Sequence, residues 1–308
     1  MFIILNNPKI NAGNQNNRRF LIILLQGVSM VTSFNGSRLH YFKKGDGPIP
    51  ILLFHGFGQT HQVYAAVAEA LSTTCTCYTF DLYFHGESTW GHGEQPLEKA
   101  VWKKVMEQFL AENNIDRFAL LGFSLGAKFA LATLECFPDK ASSVFLVAPD
   151  GIKTSFWYSL ATYPLLLRKY FRSIVTHPKR FFFLARLFRG AGLISKGLYR
   201  FATHQMSTET ERRRVYYSWI VFRHLAFDLK VLGDLVNRFH IPLAVFTGRY
   251  DKVIRTENMK RLKQYAQHTE LHILSGGHNG LLLDDALIRT VQTCLNRLVT
   301  DPQNDNRG

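Results

Sequence analysis

Residues 31–44 read VTSFNGSRLHYFKK, two stretches of alternating apolar and polar side chains joined by Asn35-Gly36. Period-two alternation describes strands with one buried face, and Asn-Gly suits a two-residue turn with left-handed backbone, so the pattern predicts an antiparallel hairpin. The pattern then changes. IPILLFHG, CTCYTFDL, RFALLG and SSVFLVAPD are short runs that are apolar at most positions, as in strands covered on both faces. Helical segments separate them: one around Val63 to Leu71, then LEKAVWKKVMEQFLAEN, then AKFALATLECF. After a long interruption, IPLAVFTG and ELHILSG supply two more strands. Repeated strand-helix units of this kind predict an α/β fold, a mostly parallel β-sheet flanked by helices.

The interruption, residues 152–240, has helical periodicity. Phe181, Leu184, Ala185 and Phe188 fall at i, i+3, i+4 and i+7, with Lys179, Arg186 and Arg189 opposite, the pattern of an amphipathic helix. Thr208 and Glu211 have the spacing of a capping box ahead of RRRVYYSWIVF. The expected organisation is therefore a core of residues 30–151 and 241–299, an inserted all-helical cap over residues 152–240, and a polar tail at 300–308. Residues 1–29 are expected to be a poorly ordered extension, with Met30 an alternative natural start. The apolar run from Phe20 to Leu25 is far shorter than the roughly 20 residues of a membrane span. Arg18 and Arg19 imitate the charged part of a secretion signal, but Gln26 ends the apolar stretch early and no A-x-A site follows.

Composition narrows the class. A chain of 308 residues, 46% hydrophobic and 19% charged, has enough apolar side chains for a large core, and no repeat or low-complexity tract is present. The four cysteines, Cys75, Cys77, Cys136 and Cys294, are too few for a disulfide scaffold and read as thiols in a reducing, cytoplasmic setting. Charge is uneven. Residues 152–240 hold sixteen Lys and Arg against four Asp and Glu, a net of +12 out of +14 for the whole chain. Two readings of that charge stand: a solvated basic face on a helical lid, or attraction to an anionic lipid surface, a carboxylate-bearing substrate or an acidic carrier protein. Nucleic acid is not expected, since no recognisable binding module accompanies the charge.

The candidate chemistry lies in LLGFSLGAK, residues 120–128. Here Gly122-Phe123-Ser124-Leu125-Gly126 joins a predicted strand to a predicted helix. A chain that reverses so sharply crowds its own backbone, and small residues two before and two after the turning residue relieve the clash. Ser124 is then presented above the sheet edge, with the Leu125 amide at the helix N-terminus, where unpaired N–H groups favour a developing negative charge. At this turn the chain resembles the α/β-hydrolase family, whose nucleophile elbow has the same G-x-S-x-G pattern. With HGFGQT, DLYFHGES, FTGRYD and LSGGHNG, the resemblance spans residues 33–298.

The resemblance implies a serine nucleophile, an acid and a histidine in that chain order, and no cofactor or metal. Ser124, Asp251 and His278 match those positions, and Asp150 after the preceding strand is the alternative acid. The matching loop elements imply that the Phe57 and Leu125 backbone amides form the oxyanion hole, with His55 and His85 as loop-holding residues. Two departures are Ala127, where many relatives carry glycine, and Tyr83-Phe84 within DLYFHG. Serine at the elbow sets the chain apart from dehalogenase-like and epoxide-hydrolase-like relatives, which use aspartate there. The implied activity is hydrolysis of a carboxylic acyl ester with an apolar portion. Thioesterase, lysophospholipase-like and C–C bond hydrolases share the machinery, and a ligand receptor on the same fold is the reading from another class.

Overall fold

A computed structural model describes residues 27–152, 156–251 and 256–300. Asn35 and Gly36 have φ of 46° and 75°, the paired left-handed turn that the hairpin pattern predicts. They join β1 (Val28–Phe34) to antiparallel β2 (Ser37–Lys44). The remaining strands are β3 (Ile49–Phe54), β4 (Cys75–Phe80), β5 (Phe118–Phe123), β6 (Ala141–Val147), β7 (Leu243–Gly248) and β8 (Thr269–Leu274). The sheet order is β1-β2-β4-β3-β5-β6-β7-β8, with β3 to β8 mutually parallel. β1 begins two residues ahead of the expected core boundary at Met30, because left-handed Gly27 (φ 79°) turns the chain against the Lys43 carbonyl and starts the pairing at Val28. The rest of the expected extension, residues 1–26, and residues 301–308 of the polar tail lie outside the described residues.

The runs apolar at most positions are explained by the two faces they cover. In β3, Leu52 and Phe54 point into one buried cluster while Ile51 and Leu53 point into the other, and β5, β6 and β7 alternate in the same way. The first cluster is roofed by α2 (Lys99–Glu112) and α3 (Gly126–Cys136), the second by α1 (Ala65–Leu71) and, near the C-terminus, by a helix over Asp285–Thr300. Trp102 Nε1 donates to Thr133 Oγ1 at 3.0 Å and so fastens α2 to α3. Cys75 and Cys77 are free, buried thiols on one face of β4, and burial pushes the Cys75 thiol up to about 12.

Between β6 and β7 the chain forms α4 (Phe156–Thr162), α5 (Leu165–Thr176), α6 (Lys179–Gly190), α7 (Lys196–Gln205), α8 (Glu209–Val221) and α9 (Leu229–Arg238). Thr208 and Glu211 close the capping box at the start of α8 in both directions. Phe171, Ile174 and Val175 of α5 meet Val215, Tyr216 and Ile220 of α8 in a separate small core. Buried Arg212 ties it together by donating to the Val175, Met206 and Ser207 carbonyls. α9 lies on the sheet. Its Leu232 and Val236 join the sheet-face cluster, and Gly233 abuts Tyr265 of α10 (Thr256–Tyr265). A β6-to-β7 crossover needs a helix on the sheet, and α9 supplies it. α11 (Asp285–Thr300) completes the fold.

One feature of strand order positions the site. β3 leads to β4 on one side, and the chain then crosses back to place β5 on the other side of β3. Open α/β sheets form their crevice where the order reverses, at the carboxyl ends of the strands. Here those ends lead into Ser124 and the loop beginning at His55.

Candidate active site

The elbow is crowded as its glycines predict. A Cβ on Gly122 would stand 2.6 Å from the Ala127 Cα, and one on Gly126 would run into the Phe54 carbonyl. Ser124 has φ of +50°, a conformation that costs a non-glycine residue on the order of 1 kcal/mol or more. Its backbone is held on three sides: the Ser124 amide donates to the Val147 carbonyl at 2.9 Å, and its carbonyl accepts from the Ala127 and Asp150 amides at 3.0 and 3.1 Å. The β5-to-α3 turn therefore fixes the serine side chain independently of anything the side chain itself contacts.

Two further loops converge on it. Gly248 ends β7, and a Cβ there would lie 2.5 Å from the Gly276 carbonyl, so the glycine three residues ahead of Asp251 reflects the tight approach of the β7 and β8 loops. Asp251 follows on the first loop and His278 on the second. His278 Nδ1–H donates to Asp251 Oδ2 at 2.7 Å, and Ser124 Oγ lies 3.1 Å from His278 Nε2. The Asp251 side chain is fully shielded from solvent and the His278 side chain is 18% exposed. A carboxylate can only accept, so Nδ1 carries the proton and Nε2 presents its lone pair to the serine hydroxyl. The imidazole also packs on Phe123, with ring centroids 5.1 Å apart. Asp150 is turned elsewhere: Oδ1 accepts from the Gly151 amide at 2.8 Å and Oδ2 faces Lys128 Nζ at 3.4 Å. The carboxylate brought to His278 is Asp251, not Asp150.

The loop after β3 is held by two neutral histidines. His55 Nδ1 donates to the Gly56 carbonyl while Nε2 accepts from the Leu82 amide at 3.0 Å. His85 Nδ1 donates to the Tyr83 carbonyl and Nε2 accepts from the Gly58 amide, both at 3.0 Å. Burial holds His55 down at about 4 and His85 at about 3, so neither is protonated near neutral pH. Gly56 N–H donates to Gln59 Oε1 at 3.0 Å. Among the described residues, the amides of Phe57 and Leu125 have no protein acceptor, which leaves both available to a ligand.

Several residues around the site carry no sequence signal. His61 donates through its backbone N–H to Asp81 Oδ1 at 2.7 Å and its Nδ1 contacts the same oxygen at 3.0 Å. Burial alone would raise the Asp81 carboxyl, yet the His61 bonds and the Glu87 amide outweigh it and hold it below the usual carboxylate range. Gln205 of α7 stands over Gly58, and Tyr217 of α8 stacks on Phe84 with centroids 5.6 Å apart. Lys128, 7% exposed, places Nζ 4.8 Å over the Tyr158 ring. Arg214 Nε is shielded without a hydrogen-bond partner. These depend on contacts between distant segments, which spacing does not reveal. No group of three or more His, Cys, Asp and Glu among the described residues is disposed to hold a metal.

Two outcomes test this geometry. Unfolded histidines titrate near 6.5, so unfolding below that pH takes up protons at His55 and His85 that the folded chain refuses. Stability should be full above about pH 6.5 and fall as pH drops towards 4, by up to about 2–3 kcal/mol per pH unit near pH 5. Urea midpoints between pH 7 and 5 measure this, and His85→Gln should roughly halve the slope. Separately, Gly126→Ala should destabilise by at least about 3 kcal/mol through overpacking. Gly190→Ala, with nothing within 4 Å of its Cβ position, should be neutral or slightly stabilising in the same melts.

Comparison with known proteins places this geometry. Residues 49–285 match the family model described as alpha/beta hydrolase fold. A "Probable alcohol acetyltransferase" of Wickerhamomyces anomalus is 35% identical over 100 residues, 32% of this chain and 28% of that one. The 1-acylglycerol-3-phosphate O-acyltransferase ABHD5 of Rattus norvegicus is 33% identical over 104 residues, 33% of this chain and 30% of that one. The matched stretch thus spans under a third of the length of either relative. Among solved structures, a membrane phospholipase A described as a bacterial virulence factor superposes with a TM-score of 0.64 at 16% identity, covering 91% of this chain and 89% of that one. With the family model matching across both halves of the sheet, from β3 to the start of α11, the chain belongs to the α/β-hydrolase fold family.

Proposed function

We propose that the chain is a serine hydrolase of carboxylic acyl esters. The observation that carries this reading is the continuous line of hydrogen bonds from Asp251 through His278 to Ser124. In this reading Ser124 Oγ attacks the ester carbonyl while His278 Nε2 takes its proton. Asp251 keeps the other nitrogen protonated and stabilises the imidazolium. The oxyanion forms between the Phe57 and Leu125 amides, each such donor contributing on the order of 10²–10³ in rate. His278 returns the proton to the leaving alkoxide, an acyl-Ser124 intermediate remains, and water activated by His278 releases it. No cofactor takes part.

The insertion α4–α8 acts as a cap in this proposal. Aromatic side chains at its border with the core, Tyr217 against Phe84 and Tyr158 under Lys128, favour an apolar acyl portion. The names of the relatives support acyl chemistry in general. They also favour a second reading, transfer of the acyl group from Ser124 to an alcohol in place of water. Thioesters and lysophospholipids enter by the same steps. A receptor on this fold would bind such a ligand without turning it over.

Steady-state hydrolysis of p-nitrophenyl esters of graded chain length tests the proposal. The wild type should turn over many times and Ser124→Ala should lose at least about a thousandfold in kcat. Asp251→Asn should lose far more kcat/KM than Asp150→Asn. Absence of turnover in the wild type would favour a receptor, and the opposite order of the two aspartate variants would move the acid role to Asp150. Adding ethanol and measuring ethyl ester distinguishes transfer from hydrolysis.

A further inference from the structure

Helix α5 has two apolar sides. One is buried: Phe171, Ile174 and Val175 pack on α8, with Phe171 5.2 Å from the Tyr216 ring. On the other, Leu165, Leu166, Leu167 and Tyr170 face solvent, Leu166 being 80% exposed. Helix α6 repeats this feature, with Phe183 (63%) and Leu187 (55%) at i and i+4 and Leu193 exposed in the turn that follows. Among the described residues sixteen large apolar side chains are exposed, and eight of them lie between Tyr163 and Leu193. Single exposed leucines are ordinary, but such a concentration marks a surface that meets something apolar.

The same stretch is unusual in charge. Residues 151–208 contain ten Lys and Arg and no Asp or Glu. Of these, among the described residues, only Arg172 has a carboxylate within salt-bridge distance, Glu94 at 3.2 Å. A basic surface whose helices neutralise none of their own charge is complementary to an anionic partner. The cations are interleaved with the exposed apolar residues, as in Leu167-Arg168-Lys169-Tyr170 and in Arg186-Leu187, with Arg189 following. Long basic side chains extend their charge to a phosphate layer while neighbouring leucines and phenylalanines enter the acyl region beneath it.

We infer that the exposed faces of α5 and α6 dock onto an anionic lipid surface. An acidic protein would satisfy the charge, but scattered bulky aliphatic residues along two consecutive helices suit a fluid apolar layer better than a fixed complementary groove. The contact lies on the surface and does not cross it: α5 has 12 residues, roughly 18 Å of helix, and no helix among the described residues is long and apolar enough to cross a membrane. The buried side of α5 shares its small core with Phe57, so a docked surface would lie on the same helical layer that borders the elbow. The inference does not rest on the catalytic reading.

Flotation of the full chain with vesicles tests it. Vesicles of phosphatidylcholine alone are compared with vesicles containing phosphatidylserine, at low and high salt. The wild type should bind the anionic vesicles at least tenfold better, with binding weakened by salt. The double variant Leu166→Ser/Phe183→Ser should bind at least fivefold less at every salt, and Arg186→Glu/Arg189→Glu should lose most of the preference for phosphatidylserine. Unchanged melting temperatures would show that both variants fold, as solvent-facing substitutions should. Absence of vesicle binding, equal binding by wild type and the Leu166→Ser/Phe183→Ser variant, or capture by an acidic carrier protein without any vesicle binding would each overturn the inference.

Discussion

The architecture of the site depends on one close contact, the backbone of Gly126 against the carbonyl of Phe54. Any side chain at residue 126 would occupy the space of that carbonyl, so the start of α3 is pressed onto the end of β3. This places the elbow beside the loop of His55 to Gly58, and it accounts for the amides of Leu125 and Phe57 lying on adjoining segments. The left-handed backbone of Ser124 follows from the same constraint: a strand that ends against β3 and a helix that begins there leave no room for a gentler turn. The strain is offset by the Val147, Ala127 and Asp150 hydrogen bonds, from the end of β6, the first turn of α3 and the loop after β6, which the two buried clusters hold.

Electrostatics act in the same direction. Four histidines lie near the site, and each is oriented by a fixed acceptor: His55 by the Gly56 carbonyl, His85 by that of Tyr83, His61 by Asp81 and His278 by Asp251. The first two are buried among backbone groups and are kept neutral, so they brace the loops without adding charge beside the serine. His278 alone faces a hydroxyl, with its side chain 18% exposed. The contrast between braced and facing imidazoles is set by which loops approach each other, and Gly248 against Gly276 is what brings the last pair together.

Much of this was legible in the chain because the constraints are local. Asn35-Gly36, the two elbow glycines, the Gly248-to-Asp251 spacing and the Thr208/Glu211 box each report a backbone requirement within a few residues. The alternation of Leu52 and Phe54 with Ile51 and Leu53 was hidden inside a run apolar throughout, yet that run correctly signalled a strand covered on both sides. What stayed illegible depends on distant segments. The start of β1 at Val28 is decided by Lys43 across the hairpin, the placement of α9 on the sheet by Tyr265 of α10, and the engagement of Asp150 by Lys128 on the far side of the elbow. The two candidate acids both follow strands; spacing and chain order favour Asp251, and the approach of His278 to Asp251 agrees with that order.

The central claim is that Ser124 is a nucleophile made reactive by His278. The most direct measurement is reaction of the folded chain with a fluorophosphonate, followed by peptide mass mapping. A single adduct on Ser124 is expected, absent in Ser124→Ala and formed at least about a hundredfold more slowly in His278→Gln, since general-base assistance contributes on the order of 10²–10⁴. An unlabelled wild type, an adduct on another residue, or labelling of Ser124 at an unchanged rate in His278→Gln would contradict it.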